Sequence, residues 1–243
     1  MRNFLALTTL CVGLPLVGHA QSGEIFIPGA DSNPFPMAAP EPQNPLARCM
    51  MNASAANCSG IGHGGGDGVT FESAVAPEYE TLVLDLDGDK VAVSHEPPAE
   101  PPAYTAPQPK THGKIALPAV AVSIEFDYNS ASIRLDQLEK LTTLVEAFND
   151  PALKGTSYAV IGHTDAVGSD KYNCDLSIRR ATSVAHALQD SYVSLQLYSV
   201  GFGEHVLKDK HYPDAPENRR VTFLRLPDHP DAVLNTAQAV CRY

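Results

Sequence analysis

Prolines are concentrated in the first half of this chain, and they restrict where a regular core can form. They recur at positions 28, 34, 36, 40, 42 and 45 and again at 97, 98, 101, 102, 107 and 109, with a glycine-rich run at 60–66 between the clusters. Proline lacks a backbone N–H donor, and such segments bury too little apolar surface to offset the entropy of ordering the chain. We therefore expect residues 21–112 to be a largely irregular tether.

One segment of this tether has the pattern of a hairpin. Residues 81–94 contain two apolar runs that flank an Asp-Gly-Asp turn. Asp85, Asp87 and Asp89 also suggest a calcium loop, but the sixth loop position, where an EF-hand requires glycine, is Lys90. We interpret the aspartates as a solvated turn and expect no metal or cofactor. Because a lone hairpin is marginal in water, we expect it to pack on another element.

The first twenty residues form a predicted secretory signal peptide. Arg2 supplies a basic start, an apolar stretch follows at 4–17, and residues 18–20 (Gly-His-Ala) offer the small residues that a signal peptidase recognises. The apolar stretch is too short to span a bilayer. Because no other apolar run in the sequence approaches 18 residues, we expect no transmembrane segment in the mature chain. The formal net charge of −11 argues against nucleic acid as a partner.

Four cysteines remain after the signal peptide: Cys49, Cys58, Cys174 and Cys241. An even number of cysteines in an exported chain favours disulfides over free thiols or zinc ligands. Three connectivities are possible. The sequence favours a local Cys49–Cys58 bridge, which leaves Cys174–Cys241 to tie the C-terminal tail to the main domain.

From residue 113 the pattern becomes that of a folded domain, which we place at 113–228. Amphipathic helices are predicted at 134–148 and 175–189, and strands at 120–126, 157–161, 195–200 and 220–226. The order β-α-β-α-β-β predicts an α+β fold, a two-layer sandwich with helices packed on one face of a mixed sheet. The tail, 229–243, is predicted to be helical from residue 231 and tied by a disulfide.

The second predicted helix carries an arginine where an apolar residue is expected. At about 100° per residue, Arg180 falls within the apolar stripe, whereas Arg179 points to solvent. A buried guanidinium requires a partner, and the nearest anion by topology is Asp165, at the end of the preceding strand. The two residues form either a structural ion pair or an open pair of charges that faces a zwitterionic ligand. Spacing alone does not separate these alternatives. Asn173 is the predicted N-cap of this helix.

Five motifs follow one another in the second half of the chain. They are Ile124-Glu125-Phe126-Asp127-x-x-Ser130, Gly162-His163-Thr164-Asp165-x-x-Gly168, Tyr172-Asn173-x-x-Leu176-Ser177-x-x-Arg180-Ala181, Gly201-Phe202-Gly203-Glu204 and Glu217-Asn218-Arg219-Arg220-Val221. In this order and spacing they resemble the OmpA-like peptidoglycan-binding domain, from about residue 118 to residue 226. Residues 21–112 lack the alternating ten-residue segments typical of outer-membrane strands, so we expect this domain without a membrane-embedded one before it.

The resemblance implies a ligand and a site. In that family the matching aspartate and arginine, here Asp165 and Arg180, hold the diaminopimelate of the peptide stem, which favours the open pair. It also implies, with less support, a set of residues around the pocket: Phe126, Asp127, Tyr128, Thr164, Asn173, Asn218 and Arg219. The implied function is non-covalent binding of peptidoglycan in the periplasm, cell-wall associated and linked to the outer membrane, with residues 21–112 available to an envelope protein partner.

Two other functions compete with this one. A wall-degrading enzyme would require a triad such as His163, Asp165 and Ser177, but glycines of a nucleophile elbow do not flank Ser177, so we expect no catalysis. A periplasmic adaptor could use the same fold to bind a protein. Cys174, beside Asn173, departs from the family pattern, which has a variable residue at this position. A bridge from Cys174 to Cys241 would hold the tail near the site.

Overall fold

The computed structural model describes residues 40–53, 58, 78–88, 90–94, 112–127 and 129–242. The predicted signal peptide and most of the predicted tether lie outside these ranges, as do Asp89 and Tyr128.

Six strands in the described ranges form one mixed sheet: β1 (Glu78–Asp85), β2 (Lys90–Ser94), β3 (Lys114–Val122), β4 (Ser157–His163), β5 (Gln196–Gly203) and β6 (Val221–Arg225). Their spatial order is β2-β1-β3-β6-β4-β5. Strands β4 and β5 pair in parallel, and the other neighbours pair antiparallel. The predicted first strand is displaced: β3 ends at Val122, and Phe126 forms only a single bridge with Ile133. The apolar alternation continues past the strand because Ile124 is a core residue without being paired in the sheet.

Four helices are described alongside the sheet: α1 (Pro45–Met51), α2 (Leu138–Phe148), α3 (Asp170–Asp190) and α4 (Asp231–Ala239). Short 3₁₀ turns occupy Leu135–Gln137, Pro151–Leu153 and Pro216–Asn218. The predicted α+β class with a mixed sheet is confirmed. In the described part of the chain, none of the helices combines the length and the apolar run needed to cross a membrane.

Both faces of the sheet are covered. Tyr158 and Val160 of β4 belong to a core shared with α1, α2 and α3, whereas the alternate residues Ala159 and Ile161 belong to a second core that includes α4. A strand buried on both faces is expected to be apolar, as residues 159–162 of β4 are. The prediction placed helices on one face only. The tail helix α4 adds a cover to the opposite face, because the outward residues of β4 are themselves apolar.

The core extends N-terminal to residue 113, the boundary predicted from composition. Strand β1 pairs with β3 along its whole length, so the predicted hairpin is an integral edge of the sheet. Helix α1 buries Leu46 and Met50, and the Met50 carbonyl accepts a hydrogen bond from the Tyr158 hydroxyl at 3.1 Å. Helix α1 and the hairpin are too short to form a core by themselves. They are ordered here because they pack on the rest of the sheet.

The hairpin turn uses its aspartate to hold the start of β3. The Asp87 carboxylate accepts from the Gly113 amide at 2.8 Å and contacts His112 Nδ1 at 3.0 Å. The hydrogen bond from His112, followed by that from Gly113, holds the pKa of Asp87 below its ordinary value. The Asp87 side chain therefore links the turn to the residues that precede β3.

Two disulfides join parts of the chain. Cys49 is bonded to Cys58, and Cys174 to Cys241, which is the connectivity that the sequence favours. The first bridge joins α1 to Cys58. The second joins the first turns of α3 to the residues that follow α4.

Candidate functional site

Three chain segments meet at one edge of the sheet. Asp165 follows the C-terminal end of β4, and Arg219 lies just before β6. Because β4 and β6 are antiparallel, the end of one strand and the start of the other lie at the same edge. The C-terminal end of β5 is also there, since β5 runs parallel to β4.

Two glycines bring α3 close to this edge. A Cβ atom on Gly162 of β4 would lie 2.1 Å from the Ser177 carbonyl oxygen, and one on Gly201 of β5 would lie 2.5 Å from Ser177 Oγ. The absence of side chains at these positions lets α3 lie directly on the two strands. Arg180 lies about one turn after Ser177 on this helix. The close contact of α3 with the strands therefore places Arg180 beside this edge of the sheet.

Arg180 is 7% exposed. Its Nε donates to the Ser130 carbonyl at 3.2 Å, and its guanidinium carbon lies 4.9 Å from the centre of the Phe126 ring, a cation–π contact. Burial lowers the pKa of Arg180, while Tyr172 and Asp165 act to raise it. An arginine remains charged at neutral pH in spite of such a shift. Among the described residues, no carboxylate lies within 4.0 Å of this guanidinium.

Asp165 has a different partner from the one expected by topology. Its Oδ2 accepts from Arg219 Nη1 at 2.7 Å, and its Oδ1 accepts from the Val167 amide at 3.2 Å. The structural Asp165–Arg180 ion pair is therefore not formed. The loop before β6 supplies the cation instead, because antiparallel pairing brings that loop to the end of β4. The side chain of Asp165 is 14% exposed and that of Arg219 is 45% exposed.

The prediction that Asn173 caps the helix is wrong. Helix α3 begins at Asp170, and the Ser169 side chain accepts from the Tyr172 amide as the N-cap. Asn173 is buried inside the helix. Its amide nitrogen donates to Glu204 Oε2 at 2.5 Å and to the Asp165 carbonyl at 3.3 Å. It therefore links the segment that carries Asp165 to Glu204, a residue of the fourth motif for which the sequence predicted no role.

Asn218 also works inside the protein. It is fully buried; its Oδ1 accepts from the Lys208 and Asp209 amides, and its Nδ2 donates to the carbonyls of Asp209, Tyr212 and Pro213. All of the hydrogen-bonding capacity of this side chain is used within the loop. Asn218 thus shapes the loop that precedes Arg219.

The next arginine is buried and structural. Arg220 is 3% exposed, and its Nε and Nη2 donate to the Glu80 carboxylate of β1 at 2.6 and 3.1 Å. This bidentate pair ties the start of β6 to the hairpin. Adjacent arginines therefore have opposite surroundings: Arg219 faces the site and Arg220 faces the core.

The other residues implied by the resemblance lie in different surroundings. Phe126 is half-buried beneath Arg180, Thr164 is buried, and Asp127 is exposed, 4.0 Å from Arg134. Tyr128 lies outside the described residues. A contact that the sequence did not indicate is the hydrogen bond from the Tyr172 hydroxyl to Asn129 Oδ1 at 3.0 Å, which links α3 to the Phe126 loop.

His163 and Ser177 are engaged in structural contacts. His163 Nδ1 lies 3.2 Å from the Val206 carbonyl, and its ring packs edge-on against Phe202. The Ser177 hydroxyl donates to the Cys174 carbonyl at 2.8 Å and accepts from the Gly203 amide at 2.9 Å. The histidine is therefore not hydrogen-bonded to the serine, as a base that activates a nucleophile would be.

A cluster of ligand-type side chains lies beside the site. Cys174, His205 and Cys241 place their ligand atoms within 4.8 Å of one another. Both sulfurs are joined in a disulfide, whereas metals bind cysteine as the thiolate. His205 Nε2 contacts Asp170 Oδ1 at 2.7 Å. In its oxidised form this cluster is a cross-link.

A cleft of about 570 Å³ lies at the other end of the strands. It is lined by residues that include Lys154, Gln196 and Arg225, at the start of β4 and β5 and the end of β6. It shares no residue with the charged site at the opposite edge.

Comparison with known proteins shows what part of this chain is similar to. The model described as "OmpA family" matches residues 125–221. Outer membrane porin F of Pseudomonas aeruginosa is 29% identical over 137 residues, which is 55% of this chain and 39% of that protein. Outer membrane protein A of Serratia marcescens is 35% identical over 80 residues, 32% of this chain and 22% of that protein. The chain thus spans about two fifths or less of these relatives.

Solved structures give similar matches. The OmpA-like domain of FopA1 from Francisella tularensis is 20% identical, with 44% of this chain and 71% of that chain covered and a TM-score of 0.35. The peptidoglycan-associated lipoprotein from Burkholderia pseudomallei is 23% identical, with 42% and 87% covered and a TM-score of 0.36.

Proposed function

Because residues 125–221 form a domain of the OmpA family, we propose that this protein binds peptidoglycan without covalent bonds and thereby links an envelope component to the cell wall. Proteins with this domain generally bind peptidoglycan and connect parts of the cell envelope. The ligand group that we propose is the diaminopimelate of the peptide stem. Its free end carries an ammonium and a carboxylate on one carbon.

The observation that carries this proposal is the burial of Arg180 without a carboxylate partner among the described residues. Arg180 is a buried cation that has no carboxylate within 4.0 Å among the described residues, and it is held in place by Ser130 and by the Phe126 ring. A guanidinium in this position gains strongly from a carboxylate that it can contact through two N–H groups. Diaminopimelate supplies such a carboxylate, whereas lysine, which replaces it in other walls, does not.

Asp165 is the proposed acceptor for the ammonium group of the ligand. Its carboxylate lies in the same site and acts on the pKa of Arg180. An amino acid head group would then place its carboxylate on Arg180 and its ammonium on Asp165. The two protein charges are held on different elements, so one zwitterion can bridge them without bringing them into contact.

The location and partners of the protein follow from the same proposal. The predicted signal peptide directs export, and the relatives named above are outer-membrane proteins. We place the protein in the periplasm, associated with the cell wall. Residues 21–112, part of which folds into α1 and the hairpin, are the proposed region of contact with an envelope protein.

The first prediction tests this function by sedimentation with purified sacculi. The mature protein is expected to pellet with them, and Asp165→Ala and Arg180→Ala are each expected to reduce the bound fraction about tenfold or more, because each removes one of two charge contacts in a desolvated site. Bound and free protein are quantified at fixed ionic strength, since surface charge interactions are screened by salt.

Arg179→Ala is the matched control, because it removes the same charge from the exposed neighbour on the same helix. It is expected to sediment like the wild type. Retained binding by both site variants would refute the site. Absence of binding by the wild type would favour the adaptor function, and release of muropeptides would indicate an enzyme.

A further inference from the structure

We propose that Arg219 exchanges partners when the ligand binds, and that this exchange selects peptide stems with a second free carboxylate. The inference rests on the function proposed above. In the free protein Arg219 neutralises Asp165; in the complex the ammonium of the ligand takes its place. The released guanidinium then binds a second carboxylate of the same stem.

Both oxygens of the Asp165 carboxylate accept hydrogen bonds before any ligand arrives. One oxygen accepts from Arg219 Nη1 at 2.7 Å and the other from the Val167 amide at 3.2 Å. The Arg219 guanidinium therefore competes with an incoming ammonium for this carboxylate. A ligand cation must displace it or share the carboxylate with it.

The side chain of Arg219 can move, whereas its backbone is held. The Arg219 amide donates to the Pro216 carbonyl at 2.9 Å. The residues on either side, Asn218 and Arg220, are buried and fixed by the loop and by Glu80. The Arg219 side chain is 45% exposed, compared with 14% for Asp165, so the arginine is the partner that can swing into solvent.

The charges of the site then define the ligand. Once Arg219 leaves Asp165, two guanidinium groups and one carboxylate face the ligand. A head group with one ammonium and one carboxylate satisfies Asp165 and Arg180 but leaves Arg219 without a counter-charge. A ligand with one ammonium and two carboxylates satisfies all three groups, and the new contact offsets the loss of the Asp165–Arg219 pair.

Two positions of a stem can supply the second carboxylate. One is the α-carboxylate of the D-glutamate that precedes diaminopimelate, and the other is the C-terminal carboxylate of a stem that ends at diaminopimelate. The chemistry is the same in both cases. Amidation removes the charge at either position with little change in size.

The second prediction uses four synthetic stem tripeptides that end in diaminopimelate. One has both carboxylates free, two are amidated at one position each, and one is amidated at both. Isothermal titration calorimetry on the mature protein is expected to show that amidation at one of the two positions weakens binding about fivefold, the upper range for a partly exposed ion pair. The position that matters identifies the carboxylate bound by Arg219.

Arg219→Ala is expected to abolish this discrimination and to bind the doubly amidated stem more tightly than the wild type does, because the competitor for Asp165 is gone. A merely structural role for Arg219 would weaken all four stems alike. Arg219→Lys keeps the charge without the planar fork and is expected to retain part of the discrimination. Arg179→Ala, with the same change in charge, is expected to retain all of it.

The outcomes separate the two proposals. Binding of no stem by the wild type overturns the proposed function and this inference with it. Equal binding of all four stems by the wild type, or undiminished discrimination by Arg219→Ala, overturns only the exchange. Thermal unfolding of each variant verifies that it is folded, and Arg219→Lys provides the test if Arg219→Ala is not.

Discussion

His163 is a buried histidine whose surroundings exclude its charged form. It is 1% exposed, and its pKa lies well below the ordinary value, first because of burial and then because of the nearby Arg220. The hydrogen bond with the Val206 carbonyl opposes this shift only in part. His163 is therefore neutral in the folded protein at the pH values at which an unfolded histidine titrates.

The third prediction follows from this difference. Below the ordinary histidine pKa of about 6.5, the unfolded chain binds a proton at this position that the folded protein does not bind. The free energy of unfolding therefore falls as the pH falls, by up to about 1.4 kcal/mol per pH unit, until the folded-state pKa is reached. Urea unfolding at pH 7.5 and at pH 5.5 measures the loss.

His163→Gln is expected to remove this component, since glutamine does not titrate. The exposed His186, changed in the same way, is the control and should leave the pH dependence nearly as in the wild type. An unchanged dependence in His163→Gln would show that other groups produce it.

The sequence predicted individual charged residues better than their partners. Arg180 could be found by winding one helix, because its burial depends on local periodicity alone. The pairing of Asp165 with Arg219 could not, since it depends on β6 running antiparallel beside β4. Ser169 and Asn173 lie one turn apart and are equally good N-caps. Local chemistry therefore does not decide which of them begins the helix.

At the scale of elements, the approach of α3 to β4 and β5 positions the site. This approach requires Gly162 and Gly201, because the helix backbone occupies the space that their side chains would fill. A methyl group at Gly201 would lie 2.4 Å from Ile178 Cγ1 and 2.8 Å from the Ile178 amide nitrogen. The helix would have to move away from the strands and would carry Arg180 with it.

The fourth prediction is that Gly201→Ala lowers the free energy of unfolding by about 3 kcal/mol and weakens sedimentation with sacculi, because overpacking at a helix–sheet contact displaces the helix. Gly155→Ala is the comparison. An added methyl group there meets nothing within 4 Å, although φ is +82°, so it should cost only about 1 kcal/mol of backbone strain and leave binding intact. Equal losses in the two variants would show that the close contact is unimportant.

The sequence did not predict the shortest helix, α1, because its composition resembles that of the irregular segment around it. The pattern predicted α2 and α3 from the regular period of their apolar residues, and the hairpin from two apolar runs around a turn. Helix α1 has seven residues and lies directly after a proline cluster, so its buried Leu46 and Met50 stand in a segment that averages as irregular. This helix depends on contacts with the sheet, such as the hydrogen bond from the Tyr158 hydroxyl to the Met50 carbonyl. A local sequence pattern holds no information about such long-range contacts.

For the molecule as a whole, the two disulfides close loops of different size. Cys174 and Cys241 are separated by 67 residues, and Cys49 and Cys58 by 9. A cross-link lowers the entropy of the unfolded chain more when the loop it closes is longer. The larger loop contains α3, β5, β6 and α4, and hence Arg180 and Arg219 with the core around them.

The fifth prediction is that replacing both cysteines of the 174–241 pair by alanine lowers the free energy of unfolding by about 4 kcal/mol, and replacing those of the 49–58 pair by about 2.5 kcal/mol. Urea unfolding under identical conditions measures both, and the wild type unfolded in the presence of a thiol reductant should lose at least as much as the larger of the two. Comparison with the alanine variants separates the loss of the cross-links from any effect of the free thiols that the reductant creates. A larger loss at the 49–58 pair would mean that packing of α1, and not the length of the closed loop, decides what a disulfide contributes to this fold.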